Sequence, residues 1–243
     1  MAGVLITGAG RRIGRRLAEV LAEDGHDLVL HYHSSRVETE GLAGDLADRY
    51  GVTCIALGAD LGQLAQVEEL LPRAGEALGT IDLLINNASL FEDDTLDTLD
   101  AATWQGHLDV NLRAPVLLSR AFARLLPAGQ TGHIVNLLDR KVANLRPDYF
   151  SYTVSKAALL AATQLLAMEL APRIRVNAVA PGLVLPSGGQ SEAAFAAEQR
   201  RAPLGMNADP TMVADAVRYL HGAAAVTGQV LFVDGGEHLR PAS

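Results

Sequence analysis

Short apolar runs alternate with longer amphipathic stretches along the whole chain. Val4–Ile6, Leu28–Leu30, Val52–Leu57, Asp82–Ile85, Gly132–Leu138, Ile174–Ala180 and Val230–Val233 are mainly apolar runs of strand length. Most of them lack a sustained polar/apolar alternation, so these strands are expected to be covered on both faces. Between them lie stretches with helical spacing: Arg15–Glu23, Val37–Tyr50, Leu64–Leu78, a long one over roughly Ala101–Leu126, one from Tyr152 to the residues before Pro172, and Pro210–His221. Parallel strands need such crossovers. The pattern predicts an α/β fold with a doubly wound parallel sheet, a single Rossmann domain over residues 1–243. The weakest stretch is Leu185–Asn207, with Pro186, Ser187, Gly188 and Gly189 followed by an Ala/Glu/Gln/Arg run. It reads as a mobile loop carrying a short helix, and such a segment beside a site is usually a lid.

Composition narrows the function classes. The net charge of −8 argues against a general affinity for nucleic acid. One cysteine, Cys54, excludes an intramolecular disulfide and a cysteine-based zinc site. No apolar run is long enough to span a bilayer, and the amino terminus carries no basic segment or cleavage pattern, so a cytoplasmic protein is expected.

Candidate chemistry gathers at the carboxyl ends of the expected strands, where open α/β sheets place their sites. After the first strand, Thr7-Gly-Ala-Gly-Arg-Arg-Ile-Gly14 forms a glycine-rich turn into a helix whose free N–H groups suit a pyrophosphate. Gly8 permits the tight turn, Gly10 adds backbone freedom, and Gly14 lets helix and strand approach. Position 12, glycine in the usual dinucleotide fingerprint, is Arg12. After the second strand comes His31-Tyr-His-Ser-Ser-Arg36, with no acid before Glu38. A carboxylate there would accept from a ribose 2′-hydroxyl and repel a 2′-phosphate. Hydroxyls, imidazoles and the guanidinium, with Arg11 within reach, favour NADPH over NADH. Asp60 is expected at the adenine edge, and Asn86-Asn-Ala-Ser89 beside the cofactor.

Tyr152 and Lys156 are four residues apart, one helical turn. A phenol near pH 7 is a weak acid, and a nearby ammonium lowers its pKa. The pair reads as a proton donor with its electrostatic tuner. Asp139 stands at the end of the strand just upstream, either in a proton relay or as a plain strand-end carboxylate beside Arg140 and Lys141.

Thr7-Gly-(x)5-Gly14, Asn86-Asn-Ala88, Asn111, Tyr152-(x)3-Lys156 and Pro181-Gly182 together resemble the short-chain dehydrogenase/reductase family over essentially the whole chain. The resemblance implies that Tyr152 donates a proton, Lys156 holds the nicotinamide ribose, and Asn111 holds a helix kink and a relay water. Most members carry serine thirteen residues before the tyrosine, the position of Asp139 here. With Arg12, the His-Tyr-His-Ser turn, Asn-Ala-Ser followed by Phe91, and Asp-Gly-Gly-Glu-His near the carboxyl terminus, this resembles the pteridine and dihydromonapterin reductases. A homotetramer and a pterin substrate are implied in the same way.

The expected catalytic set is Asp139, Tyr152, Lys156 and Asn111. The expected cofactor set comprises Gly8, Gly10, Arg11, Arg12, Ile13 and Gly14 of the turn, and His31, Tyr32, His33, Ser34, Ser35 and Arg36 after the second strand. It continues with Asp60, Leu61, Asn87, Ala88, Ser89, Asn111, Tyr152, Lys156, Pro181 and Gly182. The substrate is expected to meet Arg12, Ser89, Phe91, Asp139, Tyr152 and Leu183; no metal is expected. An ordinary carbonyl reductase and a dinucleotide-binding protein without turnover are the alternatives.

Overall fold

The computed structural model describes residues 2–186 and 191–240. Seven strands form one parallel sheet: β1 (Gly3–Ile6), β2 (Asp27–Tyr32), β3 (Cys54–Gly58), β4 (Leu83–Asn86), β5 (Gly132–Leu137), β6 (Ile174–Pro181) and β7 (Val230–Val233). Their order is β3-β2-β1-β4-β5-β6-β7. The chain winds outward in both directions from β1, so a crevice opens at the carboxyl ends of β1 and β4.

Both faces are covered, which is why the strands read as mainly apolar runs. In β1, Val4 and Ile6 meet Leu17 and Leu21 of helix α1 (Arg12–Glu23) and Val213 and Val217 of α8 (Pro210–Gly222). Leu5, between them, faces the other layer, with Leu70 of α3 (Leu64–Leu78) and Phe122 of α5 (Ala114–Leu125). Helices α2 (Arg36–Tyr50), α4 (Ala101–Leu108), α6 (Phe150–Leu170) and α7 (Glu192–Gln199) complete the chain. Among the described residues, no helix is long and apolar enough to cross a membrane.

Three departures from the sequence reading bear on the site. First, β2 extends two residues beyond Leu30, so His31 and Tyr32 belong to the sheet rather than to a loop. Second, the expected long helix is two. A π turn, Asp109–Arg113, separates α4 from α5. Pro115 has no N–H to donate to the Asn111 carbonyl, so the α ladder cannot run through, and the wider turn takes up the break. Third, helix α7 forms within Leu185–Asn207 as expected, capped by Ser191 accepting from the Ala194 N–H. The expected Ser187, Gly188 and Gly189 turn lies outside the described residues.

Candidate active site

A cavity of about 660 Å³ occupies the crevice at the carboxyl ends of the strands. That is within the range of ligand pockets in enzymes. Of the expected residues, the structure brings to its lining Gly8, Arg11, Arg12, Ile13 and Gly14; His31 to Ser35; Asp60 and Leu61; Asn87, Ala88, Ser89 and Phe91; and Asp139, Tyr152, Lys156, Pro181, Gly182 and Leu183. Gly10, Arg36 and Asn111 do not line it.

The floor is the junction of β1 and β4. Thr7 Oγ1 accepts from the Asn87 N–H at 2.9 Å and the Ala88 N–H at 3.0 Å, and the Asn87 amide donates back to the Thr7 and Gly8 carbonyls. Space here is tight. A Cβ on Gly14 would lie 2.1 Å from the Gly8 carbonyl oxygen, so helix and loop could not approach. Gly10 serves the same purpose rather than backbone freedom: its Cβ would meet Thr39 Oγ1 at 2.2 Å and Ser35 Oγ at 2.6 Å. The first turn of α1 carries no acidic residue, leaving its N–H groups and dipole open to an anion.

Arg12 takes the conformation that glycine usually supplies, with φ at +53°. For a residue with a Cβ this costs about 1–2 kcal/mol. Its guanidinium donates to the carbonyls of Pro186 at 3.1 Å and Leu185 at 3.3 Å. Arg12 therefore ties the glycine turn to the start of the 185–207 segment.

His31 departs from its expected part. It is buried, accepts at Nδ1 from the Gly8 N–H at 3.1 Å, and bonds the Ala59 carbonyl through Nε2 at 3.0 Å. A backbone N–H only donates and a carbonyl only accepts, so the ring is the neutral Nε2–H tautomer. Burial pulls its pKa down to about 4. It props the glycine turn and brings no positive charge to a phosphate. A consequence is acid lability. The unfolded ring protonates below about pH 6.5 and the folded one does not until about pH 4. Stability therefore falls as pH drops through that window, by on the order of 3 kcal/mol for this ring. Urea unfolding at pH 7 and pH 5 should show a lower midpoint at pH 5; equal midpoints would contradict the buried neutral ring.

Arg36 also departs. It starts helix α2, its side chain is exposed, and it pairs with Glu40 one turn on at 2.8 Å. Helical geometry turns it outward to that neighbour. Arg11, at the cavity rim, is paired with Glu38. Of the two arginines expected at a 2′-phosphate, Arg11 lines the cavity, as do Ser34 and Ser35, and Arg36 does not.

The catalytic side is built on β5 and α6. Tyr152 is buried, and its hydroxyl donates to Asp139 Oδ2 at 3.0 Å. Asp139 Oδ1 accepts from the Lys141 N–H at 2.8 Å, capping a short 3-10 turn over Arg140–Val142. The carboxylate is thus held in place from one side while it faces the phenol from the other. Lys156 is buried, donates to the Leu137 carbonyl at 2.8 Å, and lies 5.7 Å from the centre of the Tyr152 ring. This corrects the expected tuning. Burial and the adjacent Asp139 charge hold the Tyr152 phenol well above its usual range, outweighing Ser89 and Arg140, which act the other way, and Lys156 has no part in the shift. Burial brings Lys156 down to about 8, with Asp139 acting against the shift. The phenol is therefore fully protonated at neutral pH, a reservoir for one proton. Asn111, at the π turn, accepts at Oδ1 from the Leu90 N–H at 2.8 Å and donates to Ser155 Oγ at 3.1 Å. It joins the segment after β4 to α6.

Phe91 is half exposed at the mouth. It stacks on Tyr149 with ring centres 4.4 Å apart, and meets Tyr152 edge-on at 4.7 Å. Tyr149 escaped the sequence reading; its signal was an aromatic just after Pro147-Asp148, at the entry to α6. Behind Asp139, buried Arg140 pairs with Glu237 at 3.0 Å, a contact between segments that no local pattern announced.

Comparison with known proteins agrees with this geometry. The sequence profile of a family described as enoyl-(acyl carrier protein) reductase matches residues 8–238. A 3-oxoacyl-(acyl-carrier-protein) reductase of Staphylococcus epidermidis is 30% identical over 97% of this chain and 98% of its own. A short-chain type dehydrogenase/reductase of Picea abies is 34% identical over 96% of this chain and 91% of its own. The chain belongs to the short-chain dehydrogenase/reductase family. Among solved structures of this family, FolM alternative dihydrofolate reductase 1 from Brucella canis, complexed with NADP, superposes with a TM-score of 0.94 at 40% identity, covering 100% of this chain and 96% of that one. The Brucella suis protein of the same description, also with NADP, gives 0.93 at 40% identity, covering 100% and 97%.

Proposed function

We propose that this short-chain reductase uses NADPH to take a dihydropterin to the tetrahydro level. The observation that carries the reading is the Tyr152–Asp139 hydrogen bond beneath Phe91. An ordinary carbonyl substrate wants a hydroxyl that donates to its oxygen, which a serine at position 139 would supply. A pterin presents a ring nitrogen that needs a proton as hydride reaches the adjacent carbon. A carboxylate bonded to a protonated phenol, at the edge of a cavity open to solvent, suits such a relay. Phe91 offers a flat face to a bicyclic ring. The solved structures at 40% identity, described as alternative dihydrofolate reductases, support the same substrate class.

The cradle around Gly8–Gly14 and the acid-free first turn of α1 fit a dinucleotide pyrophosphate. When bound, the nicotinamide supplies the hydride. Lys156 would hold the nicotinamide ribose, Asp139 accepts from Tyr152, and the phenol holds the proton until the substrate nitrogen needs it. Arg11, Ser34 and Ser35 receive the 2′-phosphate. Accordingly, Arg11→Ala weakens NADPH about 10–100-fold, the worth of one charge-assisted contact, and leaves NADH nearly unchanged. Arg36→Ala leaves both unchanged. Fluorescence titration of the two cofactors checks this, and equal losses for both would place Arg11 elsewhere. The homotetramer belongs to this proposal as well, and the exposed Leu165 and Met168 of α6 are the apolar surface it would cover.

The experiment for the substrate is NADPH oxidation with dihydrobiopterin, dihydromonapterin, dihydrofolate and a panel of carbonyls, including a 3-oxoacyl thioester. Turnover of a dihydropterin well above every carbonyl is the expected result. Preference for the thioester would make the chain a carbonyl reductase, as the Staphylococcus epidermidis relative is described.

A further inference from the structure

A second cavity, of about 490 Å³, lies at the opposite edge of the sheet. Ala2, Asp82, Gly132 and Arg173 line it, each at or just before the start of a strand, so it faces away from Tyr152. Eight buried side-chain polar atoms among the described residues have no hydrogen-bond partner. Three of them, Asp82 Oδ1, His133 Nδ1 and His221 Nδ1, belong to residues of this one cavity. Unpaired buried polar atoms are costly, and their clustering marks a place where a polar partner is missing.

The hydrogen bonds around His133 decide what that partner offers. Asn177 Oδ1 accepts from the Gln229 N–H at 3.0 Å and its Nδ2 donates to the Val226 carbonyl at 2.9 Å, which fixes the amide orientation. The second Nδ2 hydrogen then points to His133 Nε2, 3.1 Å away. His133 Nε2 must accept, so the ring proton sits on Nδ1, and it has no acceptor. His133 is 2% exposed. Burial, with Arg175 and His221 nearby, takes its pKa to about 3 and keeps the ring neutral. The surroundings are positive. Arg173 and Arg175 line the cavity and donate to backbone carbonyls, Arg175 to Leu220 and His221 at 2.8 Å each. Two guanidinium groups share the lining with one carboxyl, Asp82, whose pKa burial raises from its ordinary acidic value.

We propose that this cavity binds a small oxoanion, the carboxylate or phosphate group of a small metabolite, with His133 Nδ1–H as its fixed donor. The two guanidinium groups supply the attraction, and His221 closes the wall, stacked on His133 with ring centres 6.0 Å apart. Among the residues that line the cavity, Asp82 is the acid that opposes an anion.

The test is a titration with inorganic phosphate and, separately, with acetate, chloride holding the ionic strength constant. Long-range ¹⁵N–¹H spectra of the histidine rings give the readout, with and without saturating NADPH. A saturable shift of the His133 Nδ1 signal, the same in both conditions, is expected; the ion that produces it identifies the phosphate or carboxylate source. Asp82→Asn removes a like charge from a half-buried site and should tighten binding about tenfold. His133→Phe keeps the ring and loses the donor, so the response at His221 should vanish. The proposal is overturned by shifts that chloride reproduces, by shifts that NADPH abolishes, or by an affinity unchanged in Asp82→Asn. That last measurement stands by itself if His133→Phe does not fold.

Discussion

Tyr152→Phe lowers dihydropterin turnover by roughly 10²–10⁴-fold and leaves NADPH affinity near that of the parent protein. The phenol loses its bond to Asp139 Oδ2 and its interaction with Ser89, while the ring keeps its edge contact with Phe91 and its place beside Lys156. Packing of α6 is therefore retained, and the deficit falls on kcat. The structure adds a constraint that the residue types alone did not. Because burial and Asp139 keep the phenol protonated, Tyr152 acts as the acid across the neutral range. Ionisation of Tyr152 should then not limit kcat below about pH 9, in contrast to a phenol brought down by an ammonium. Stopped-flow single-turnover rates over pH 5 to 9 measure this directly. Turnover within a few-fold of the parent would remove Tyr152 from the reaction.

Asp139→Ser discriminates between the two reductase chemistries with a comparable effect. Serine still caps the Arg140–Val142 turn by accepting from the Lys141 N–H, so the backbone there is preserved. What is lost is the carboxylate at 3.0 Å from the phenol. For a pterin the relay is broken, and steady-state kcat falls about 10²–10⁴-fold over pH 5 to 8. For a carbonyl the change restores the usual hydroxyl, and turnover stays level or rises. The same substitution removes the charge that raises both neighbours. Tyr152 and Lys156 should each titrate at a lower pH than in the parent, which separates an electrostatic role from a loss of fold. Unchanged pterin turnover across that range would sink the relay, and with it the main reason for preferring a pterin.

The sequence by itself determined the sheet, its winding and most of the cavity lining. Both-face burial writes each strand as a mainly apolar run, and parallel pairing leaves few ways to connect such runs. Motifs at strand ends then fall at one edge by topology: Gly8–Gly14, Asn87–Ser89, Asp139 and Pro181-Gly182 needed no coordinates to be gathered there. Tertiary structure decided whatever depends on which side chain meets which. His31 belongs to the cavity by position, yet its two hydrogen bonds to Gly8 and Ala59 make it a neutral prop. Arg36 lies one residue too far, because α2 begins there and a helix turns its first side chain towards Glu40. The Tyr152–Lys156 spacing was legible. Its electrostatics were not, because the pKa of a buried phenol follows the local dielectric and the nearest charge, and both are set by the distance to Asp139 and by burial in the folded chain.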